Sequence, residues 1–447
     1  MQKLIISRSH AGLMLADLHI HSKYSRATSR NLDLTHLEKY ARIKGIDLLG
    51  TGDFQHPEWQ KELRAGLHED GSGLLRTETG YPFVLSTEIS LIYSQGGKGR
   101  RVHLVALAPD FDAMDQITSY LGSKGRLDYD GRPIFPMSCI ETVEALTSIS
   151  DDIEVFPAHI WTPWFSMFGS KSGFDSVEEC FGDQVKKIHA IETGLSSDPP
   201  MNWRVSQLDR FSVLSFSDLH SFWPWRIGRE ATRFSMPSES YKDLLTAIRQ
   251  NRIEGTVEVD PNYGKYHFDG HRNCEVRMSP AASAKAGGIC PVCRKPLTIG
   301  VLARVEELAD RPEDVDVRGR PGFDTLLPLS ELIATVRGCG VATKSVWSSY
   351  NALIEAFGSE YTVLLKTPEE ELSRHAGTAM SQAIMKNRSG DIEVSPGYDG
   401  EYGVPKLRSG KPDHSVRSDD AVEDEDNISE EKDMRPGTCI QRSLTDF

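Results

Sequence analysis

Histidine and acidic residues recur in this chain at spacings that suit divalent metal ions. His19 and His21 are two residues apart, so an extended backbone directs both imidazoles to one side. Other residues of these types follow along the first half of the sequence: Asp17, Asp53, His56, Glu88, His103, His159, Glu192, Asp218 and His220. Imidazole with carboxylate suits zinc, manganese or iron. The set is large enough to hold two or three ions.

Two or more neighbouring divalent ions would supply a particular chemistry. Such ions lower the pKa of a bound water, neutralise phosphate oxygens and stabilise a leaving oxygen. Hydrolysis of phosphate esters is the reaction class that most needs this combination. A single histidine at a strand end is usually a surface or hydrogen-bonded residue, but seven strand ends with metal-type groups favour a multi-metal phosphoesterase.

A second cluster contains cysteines. His271 and Cys274 form one tight pair, and after 15 further residues Cys290 and Cys293 form another. Two such pairs allow two short loops to grip one tetrahedral zinc ion, and a closed set of three cysteines and one histidine is structural rather than catalytic. His267 is an alternative fourth ligand, and the alternative to a zinc site is an incidental cysteine pair.

These groups must be positioned by regular elements, and the first 260 residues show the required pattern. Short apolar runs predict strands at Leu13–Leu18, Ile46–Thr51, Phe83–Thr87, Val102–Leu107, Ile153–Pro157, Ile188–Glu192, Val213–Phe216 and Ile253–Val259. Helical patterns lie between them at Thr35–Lys44, Pro57–Leu67, Met114–Leu121, Thr142–Ser148 and Tyr241–Gln250. This alternation predicts an α/β fold with a mostly parallel sheet. Barrels of this kind place functional residues at the C-terminal ends of their strands, where most of the metal-type residues fall.

The rest of the chain changes in composition, which predicts four parts. Residues 1–260 form the strand–helix part and residues 261–310 the zinc-binding module. Residues 311–407 are predicted to form a helical DNA-binding domain, with helices at Leu329–Val336, Ser345–Phe357 and Pro368–Leu372. Residues 408–447 are polar and acidic, and such a tail cannot bury enough apolar surface to fold alone.

Overall composition excludes several classes of protein. The 447 residues include 51 Lys and Arg against 65 Asp and Glu, a net charge of −14. The sequence has no apolar run of 18 residues and no signal peptide, so we expect no membrane partner and a cytoplasmic, nucleoid-associated protein. Seven cysteines are too few for a disulfide scaffold. The acidic total argues against coating nucleic acid through bulk charge, but a local basic groove would be sufficient for a nucleic-acid enzyme.

The first part resembles the PHP (polymerase and histidinol phosphatase) family. The matching residues are His19-Ile20-His21, Asp53 in Thr51-Gly52-Asp53, Glu88, His103, His159 and Asp218-Leu219-His220. The resemblance implies a distorted seven-stranded β/α barrel with a phosphoesterase site of two or three metals. It implies that Glu88 bridges two ions, and that Glu88, Asp218 and His220 are catalytic. The implied ligands are His19, His21 and Asp218 for one ion, His103 and His159 for the second, and Asp53, His56 and His220 for a third.

The order of barrel, Cys/His module and helical domain narrows the resemblance to the endonuclease Q family. The matching stretches are Ala16–His21, Gly50–Trp59, His271–Cys274, Cys290–Val305 and Pro396–Gly403, within residues 13 to 407. This resemblance implies cleavage of damaged DNA on the 5′ side of hypoxanthine, uracil, xanthine or an abasic site. It implies structural zinc in the module, and zinc, or else Mn²⁺ or Mg²⁺, in the barrel. The alternatives are a small-molecule phosphatase of the histidinol-phosphate type and a non-catalytic DNA-binding scaffold.

Aromatic and basic residues near the histidines fit contact with DNA. Two loops are rich in aromatic side chains: Trp161, Trp164 and Phe165 after His159, and Phe222, Trp223 and Trp225 after His220. Exposed rings of this kind stack on bases, although we expect half of the six to belong to the core. Basic residues that would form a local phosphate track are Lys98, Arg100, Arg101, Arg226, Arg229, Arg294 and Lys295.

The last residues resemble a docking peptide. Gln441, Leu444 and Phe447 have the spacing of the clamp-binding peptide of archaeal replication and repair proteins. The resemblance implies that Leu444 and Phe447 enter an apolar pocket of the sliding clamp PCNA, and that the protein is archaeal. The alternative is an arbitrary disordered end.

Overall fold

The computed structural model describes residues 12–316 and 318–406. The predicted acidic tail and the clamp-binding residues Gln441, Leu444 and Phe447 lie outside these ranges. PCNA binding and an archaeal source therefore stay predictions.

The predicted strands and helices of the first part all occur, most of them with shifts of a few residues at their ends, although the strand predicted at Phe83–Thr87 continues to Gln95. The strands are β1 (Leu13–Asp17), β2 (Leu48–Gly50), β3 (His68–Glu69), β4 (Leu75–Arg76), β5 (Pro82–Gln95), β6 (Lys98–Ala108), β7 (Ile134–Phe135), β8 (Glu154–Pro157), β9 (Ala190–Glu192), β10 (Ser212–Leu214), β11 (Ala231–Ser235) and β12 (Ile253–Glu258). The helices are α1 (Leu34–Lys44), α2 (Pro57–Gly66), α3 (Phe111–Lys124), α4 (Cys139–Ile149), α5 (Val177–Phe181), α6 (Pro199–Trp203) and α7 (Tyr241–Arg249). Side-chain caps at Asp33, Asp110, Ser138, Ser176, Asp198 and Ser240 begin six of them.

The fold is mixed α/β, and the expectation of a mostly parallel sheet is wrong. β1 pairs with β2, and β2 with β5, in parallel. The pairs β1–β11, β11–β12, β5–β6 and β6–β8 are all antiparallel. The reason at β5 and β6 is local, since Gly96 and Gly97 both have positive φ and close a two-residue hairpin turn between two long strands.

The strand ends that carry the metal-type residues meet at one edge. β9 and β10 form a separate parallel pair. The segment after β8 contacts this pair at the same edge, where the amide of Ile160 donates to the carbonyl of Glu192 at 3.0 Å. On the other side, Ile20 and Leu219 form a parallel bridge between the segments that follow β1 and β10. Side chains at these ends consequently point into a common space.

Contacts of the later elements cross the predicted domain boundaries. They are β13 (Asp269–His271), β14 (Val276–Met278), α8 (Pro280–Lys285), α9 (Val301–Leu308), β15 (Gly322–Thr325), α10 (Leu329–Arg337), α11 (Lys344–Phe357), α12 (Glu369–Ala376), α13 (Thr378–Arg388), β16 (Glu393–Ser395) and β17 (Val404–Lys406). β15 extends the main sheet by pairing with β12 in parallel. The segment between β16 and β17 lies on residues 262–268, where Phe268 donates to the carbonyl of Gly397 at 2.9 Å. Within these described ranges, no helix is both long and apolar enough to cross a bilayer.

Candidate metal centres

Two groups of potential ligand atoms share one carboxylate. In the first group, ligand atoms of His19, His21, Glu88 and Asp218 all lie within 4.8 Å of one another. In the second group, the same is true of Glu88, His103 and His159. Glu88 therefore occupies the position of a bridging ligand between two ions.

The backbone that presents these groups is strained at three points. Asp53, His159 and Asp218 follow β2, β8 and the segment after β10, and all three have left-handed backbones, with φ of 46°, 30° and 46°. Such conformations are uncommon for residues other than glycine and cluster at functional sites. Before Asp53, Gly52 also has positive φ, and a Cβ there would lie 2.4 Å from the carbonyl oxygen of Ile20. The turn that delivers Asp53 therefore requires glycine.

His103 reaches the site from the middle of its strand. It is the central residue of β6, opposite Ser90 of β5, while Glu88 lies opposite Val105. Because β5 and β6 are antiparallel, His103 and Glu88 are diagonal neighbours on one face of this ladder. His103 Nδ1 is consequently 2.5 Å from Oε1 of Glu88.

Carboxylates behind the ligands fix the histidine rings. Asp53 Oδ1 accepts from Nδ1 of His21 at 2.9 Å, and its Oδ2 accepts from the amide of Ser22 at 2.6 Å. Glu192 accepts from Nδ1 of His19 at 2.9 Å. These bonds leave Nε2 of each ring facing the site, which is the usual arrangement behind metal-binding histidines. Asp17 accepts backbone amides of Ser217 and Gly228, both at 2.9 Å, and so anchors the loop that carries Asp218.

The three residues predicted for a third ion do not form one group of ligand atoms. Asp53 uses both oxygens on protein donors. His56 stacks on Tyr24 with ring centroids 4.5 Å apart. The ring of His220 lies 4.7 Å from that of His21, and its Nδ1 lies 3.0 Å from the carbonyl oxygen of Asp218. None of the three joins a group of neighbouring ligand atoms within residues 12–316 and 318–406.

Arg132 is a site residue that no pattern in the sequence identifies. Its Nη1 donates to Oε2 of Glu88 at 2.7 Å. The residue stands in an irregular segment between α3 and β7, far from any histidine in the sequence, so no spacing connects it with the ligands. Only the fold places it there.

The charges of the site depend strongly on one another. Burial alone would raise the pKa of Glu88, but Arg132, His103 and His19 hold it well below its usual range. Burial also works against protonation of His19, yet the carboxylates of Glu192, Glu88 and Asp218 raise its pKa well above the usual value. Burial lowers the pKa of His103 to about 4 and that of His220 to about 3. Several buried acids therefore require positive charge close by.

The donor set fits divalent cations. Nε2 of His19 is buried and makes no hydrogen bond within the described residues. It lies 3.6 Å from Oε1 of Glu88 and 3.7 Å from Oδ1 of Asp218, so one ion could contact all three atoms. Imidazole nitrogens and carboxylate oxygens in this ratio match zinc, manganese or iron.

The Cys/His cluster is a separate group. Ligand atoms of His271, Cys274, Cys290 and Cys293 all lie within 4.8 Å of one another. His271 ends β13 and Cys274 ends the short turn that follows, so the β13–β14 hairpin supplies one pair. The alternative ligand His267 is buried elsewhere, with Nδ1 3.2 Å from the carbonyl oxygen of Ser196. Three thiols and one imidazole fit structural zinc.

The neighbouring aromatic and basic residues divide between surface and core. Trp161, Phe222 and Trp225 are buried, whereas Trp164, Phe165 and Trp223 are partly exposed. The predicted phosphate track is wrong for Arg100 and Arg229, which are buried. Arg100 pairs with Glu179 at 2.6 Å, and Arg229 donates to the carbonyl of Ser217. Lys98, Arg101, Arg294 and Lys295 are exposed.

Sequence comparisons find relatives for both halves of the chain. A family model described as the MJ0043 C-terminal domain matches residues 328–391, which form the helices of the third part. Uncharacterized protein MJ0043 of Methanocaldococcus jannaschii is 34% identical over 54% of this chain, but the match spans only 31% of that protein. Uncharacterized protein YqxK of Bacillus subtilis is 31% identical over 413 residues, which cover 88% of this chain and 98% of YqxK.

Two crystal structures have a similar fold over most of their length. The lesion-specific endonuclease PfuEndoQ of Pyrococcus furiosus superposes with a TM-score of 0.79 at 30% identity, covering 88% of this chain and 95% of that chain. Endonuclease Q in complex with a duplex substrate that has an abasic lesion at the active site gives a TM-score of 0.80 at 30% identity. That match covers 89% of this chain and 97% of the other.

Proposed function

This chain belongs to the endonuclease Q family, and we propose from that membership and from its metal-type site that it is a DNA repair endonuclease. The observation that carries the proposal is the pair of ligand groups joined by Glu88 at the common edge of the strands. The proposed substrate is duplex DNA with hypoxanthine, uracil, xanthine or an abasic site. The proposed cut lies on the 5′ side of the lesion.

The proposed reaction is hydrolysis of one phosphodiester bond. Water attacks phosphorus in line, the bond from phosphorus to the 3′ oxygen breaks, and that oxygen receives a proton. The products are a 3′-hydroxyl and a 5′-phosphate. Bound divalent ions would supply Lewis acidity for the phosphate oxygens and for the attacking water.

The residues of the chain have distinct roles in this scheme. Glu88 would bridge two ions, His19, His21 and Asp218 would hold one of them, and His103 and His159 would hold the other. Asp53 and Glu192 hold the rings of His21 and His19 in the required tautomer. His220 would be a catalytic residue of the same site, where its ring lies 4.7 Å from that of His21.

The remaining parts would hold the duplex. The partly exposed ring of Phe165 lies 4.6 Å from the ring of His103, beside the second ligand group. Such a ring could stack on an unstacked base or fill the gap that the base leaves. Exposed Arg294 and Lys295 on the Cys/His cluster could contact phosphates. We propose zinc as the ion of this cluster, and a PHP-type barrel for the first part.

A cleavage assay tests the proposal. End-labelled duplexes with one uracil, hypoxanthine or abasic site are incubated with wild type, with Asp218→Asn, and with Asp112→Asn, a control at an exposed carboxylate. We expect one cut 5′ of the lesion for wild type and Asp112→Asn, and none for Asp218→Asn. Turnover of histidinol phosphate without DNA cleavage would favour the small-molecule phosphatase, and DNA binding without any hydrolysis would favour the scaffold.

A further inference from the structure

Arg132 lies within the cluster of metal-type ligands without being one of them. Its Nη1 donates to Oε2 of Glu88 at 2.7 Å, and the other oxygen of Glu88 faces His103 and His159. Across residues 12–316 and 318–406, no other lysine or arginine forms an ion pair with a carboxylate of the two ligand groups. Arg132 is therefore the one lysine or arginine of these described ranges that pairs with a ligand carboxylate.

The backbone around Arg132 is fastened to the loops that carry His21 and Asp53. Gly131 donates to the carbonyl of Tyr24 at 2.9 Å, and its own carbonyl accepts from the side chain of Gln55. Asp130 Oδ1 accepts the amides of Arg26 and Arg132 at 3.2 and 3.1 Å. A Cβ at Gly131 would lie 2.4 Å from Oδ2 of Asp53, so only glycine allows this approach. The segment is held against the site through its main chain, independently of the guanidinium.

The guanidinium keeps donors available for a ligand. Of its five N–H groups, one bonds to Glu88, and the others make no hydrogen bond within the described residues. The side chain is 26% exposed, so these donors can be reached from outside. A planar fork of N–H groups matches two oxygens of a phosphate.

We propose that Arg132 is a further catalytic residue, whose guanidinium binds a non-bridging oxygen of the scissile phosphate. This inference rests on the proposed function. Negative charge on the phosphate oxygens must be stabilised during attack, and a preorganised cation does this without rearrangement. The competing explanation is that Arg132 is only a counterion that keeps Glu88 in place.

Three variants separate these explanations: Arg132→Ala, Arg132→Lys and the control Arg126→Ala. Arg126 lies in the same segment, is 75% exposed and pairs with Asp128. The readouts are metal ions bound per chain, affinity for a lesion duplex, the single-turnover cleavage rate, and rescue of that rate by added guanidinium ion.

We expect Arg132→Ala to bind as many metal ions as wild type and to cleave about 100-fold more slowly, the typical loss for one such donor. Arg132→Lys and added guanidinium should each restore part of the rate, and Arg126→Ala should match wild type. Loss of metal, or an unchanged rate, in Arg132→Ala would overturn this inference alone. A wild type that cuts no lesion duplex would overturn the proposed function, and this inference with it.

Discussion

Nζ of Lys44 lies 2.7 Å from Oε1 of Glu360, and both side chains are buried. Lys44 ends α1 of the first part, whereas Glu360 belongs to the helical region that follows α11. Glu360 also accepts from the hydroxyl of Tyr350 at 2.8 Å and from the amide of Leu329 at 2.9 Å. Lys44 in turn donates to the carbonyl of Pro224, four residues after His220, at 2.8 Å. One buried ion pair thus joins the helical region to the loop of the candidate metal site.

Removing one partner of this pair should be costly. In Glu360→Ala, Lys44 would stay buried without its counterion, and we expect a loss of about 3–5 kcal/mol in the free energy of unfolding. Chemical denaturation of the full chain measures it. In the exposed pair of Lys61 and Glu58, Glu58→Ala should cost less than about 1 kcal/mol. Equal effects in both variants would contradict a structural role for the buried pair.

Asp53 should affect the affinity for metal ions rather than the number of ions bound per chain. In Asp53→Asn, the bond that orients His21 is weakened, and affinity for the ions should fall about 10- to 100-fold, the usual effect of a residue behind a ligand. Chelator competition measures the affinity, and elemental analysis at saturating metal measures the stoichiometry. A third ion bound by Asp53 would instead show as one ion fewer per chain in the variant.

The Cys/His cluster should bind one zinc ion that the structure of the module needs. Cys293→Ser should lower the zinc content by one ion per chain, because a closed four-ligand site does not tolerate loss of a thiolate. Cys339→Ser is the control, since Cys339 lies in the helical part, with Sγ 3.5 Å from Oγ1 of Thr343. The same loss in both variants would argue against a zinc site at Cys293.

Stability should fall as pH rises because of Glu258, a buried acid that is not one of the candidate metal ligands. Burial raises the pKa of Glu258 from 4.5 to about 8. Between these values the unfolded chain has released a proton that the folded chain retains, so rising pH favours unfolding, by about 1.4 kcal/mol for each pKa unit. Glu258→Gln removes this proton release. The free energy of unfolding of the variant, relative to that of wild type, should therefore be higher at pH 8 than at pH 5.

Thermal unfolding at the two pH values tests this. Glu254 is exposed on the same strand, so Glu254→Gln should follow the wild-type pH dependence. A wild type and a Glu258→Gln variant with parallel pH profiles would show that Glu258 is ionised in the folded protein.

Local patterns of residues were sufficient to predict most of the regular elements and the types of ligand. Apolar runs and helical patterns act within short windows, so eight of the strands β1 to β12 and the helices α1 to α4 and α7 could be located. The strands β3, β4, β7 and β11 and the short helices α5 and α6 were not predicted. The paired spacing of His271, Cys274, Cys290 and Cys293 predicted their cluster for the same reason, since each pair is local. The resemblance to endonuclease Q was confirmed by the two crystal structures.

Which side chains meet at the site follows from contacts between distant parts of the chain. The antiparallel pairing of β5 and β6 brings His103, at the middle of its strand, beside Glu88, and no periodicity within β6 contains that information. Asp53 turned toward His21, and Arg132 reached Glu88 from an irregular segment, through contacts between residues 32 and 44 positions apart. Sheet order, register and main-chain docking of distant segments fix such meetings. The preference of a segment for helix or strand depends on neighbouring residues, whereas contacts between distant side chains depend on the whole fold.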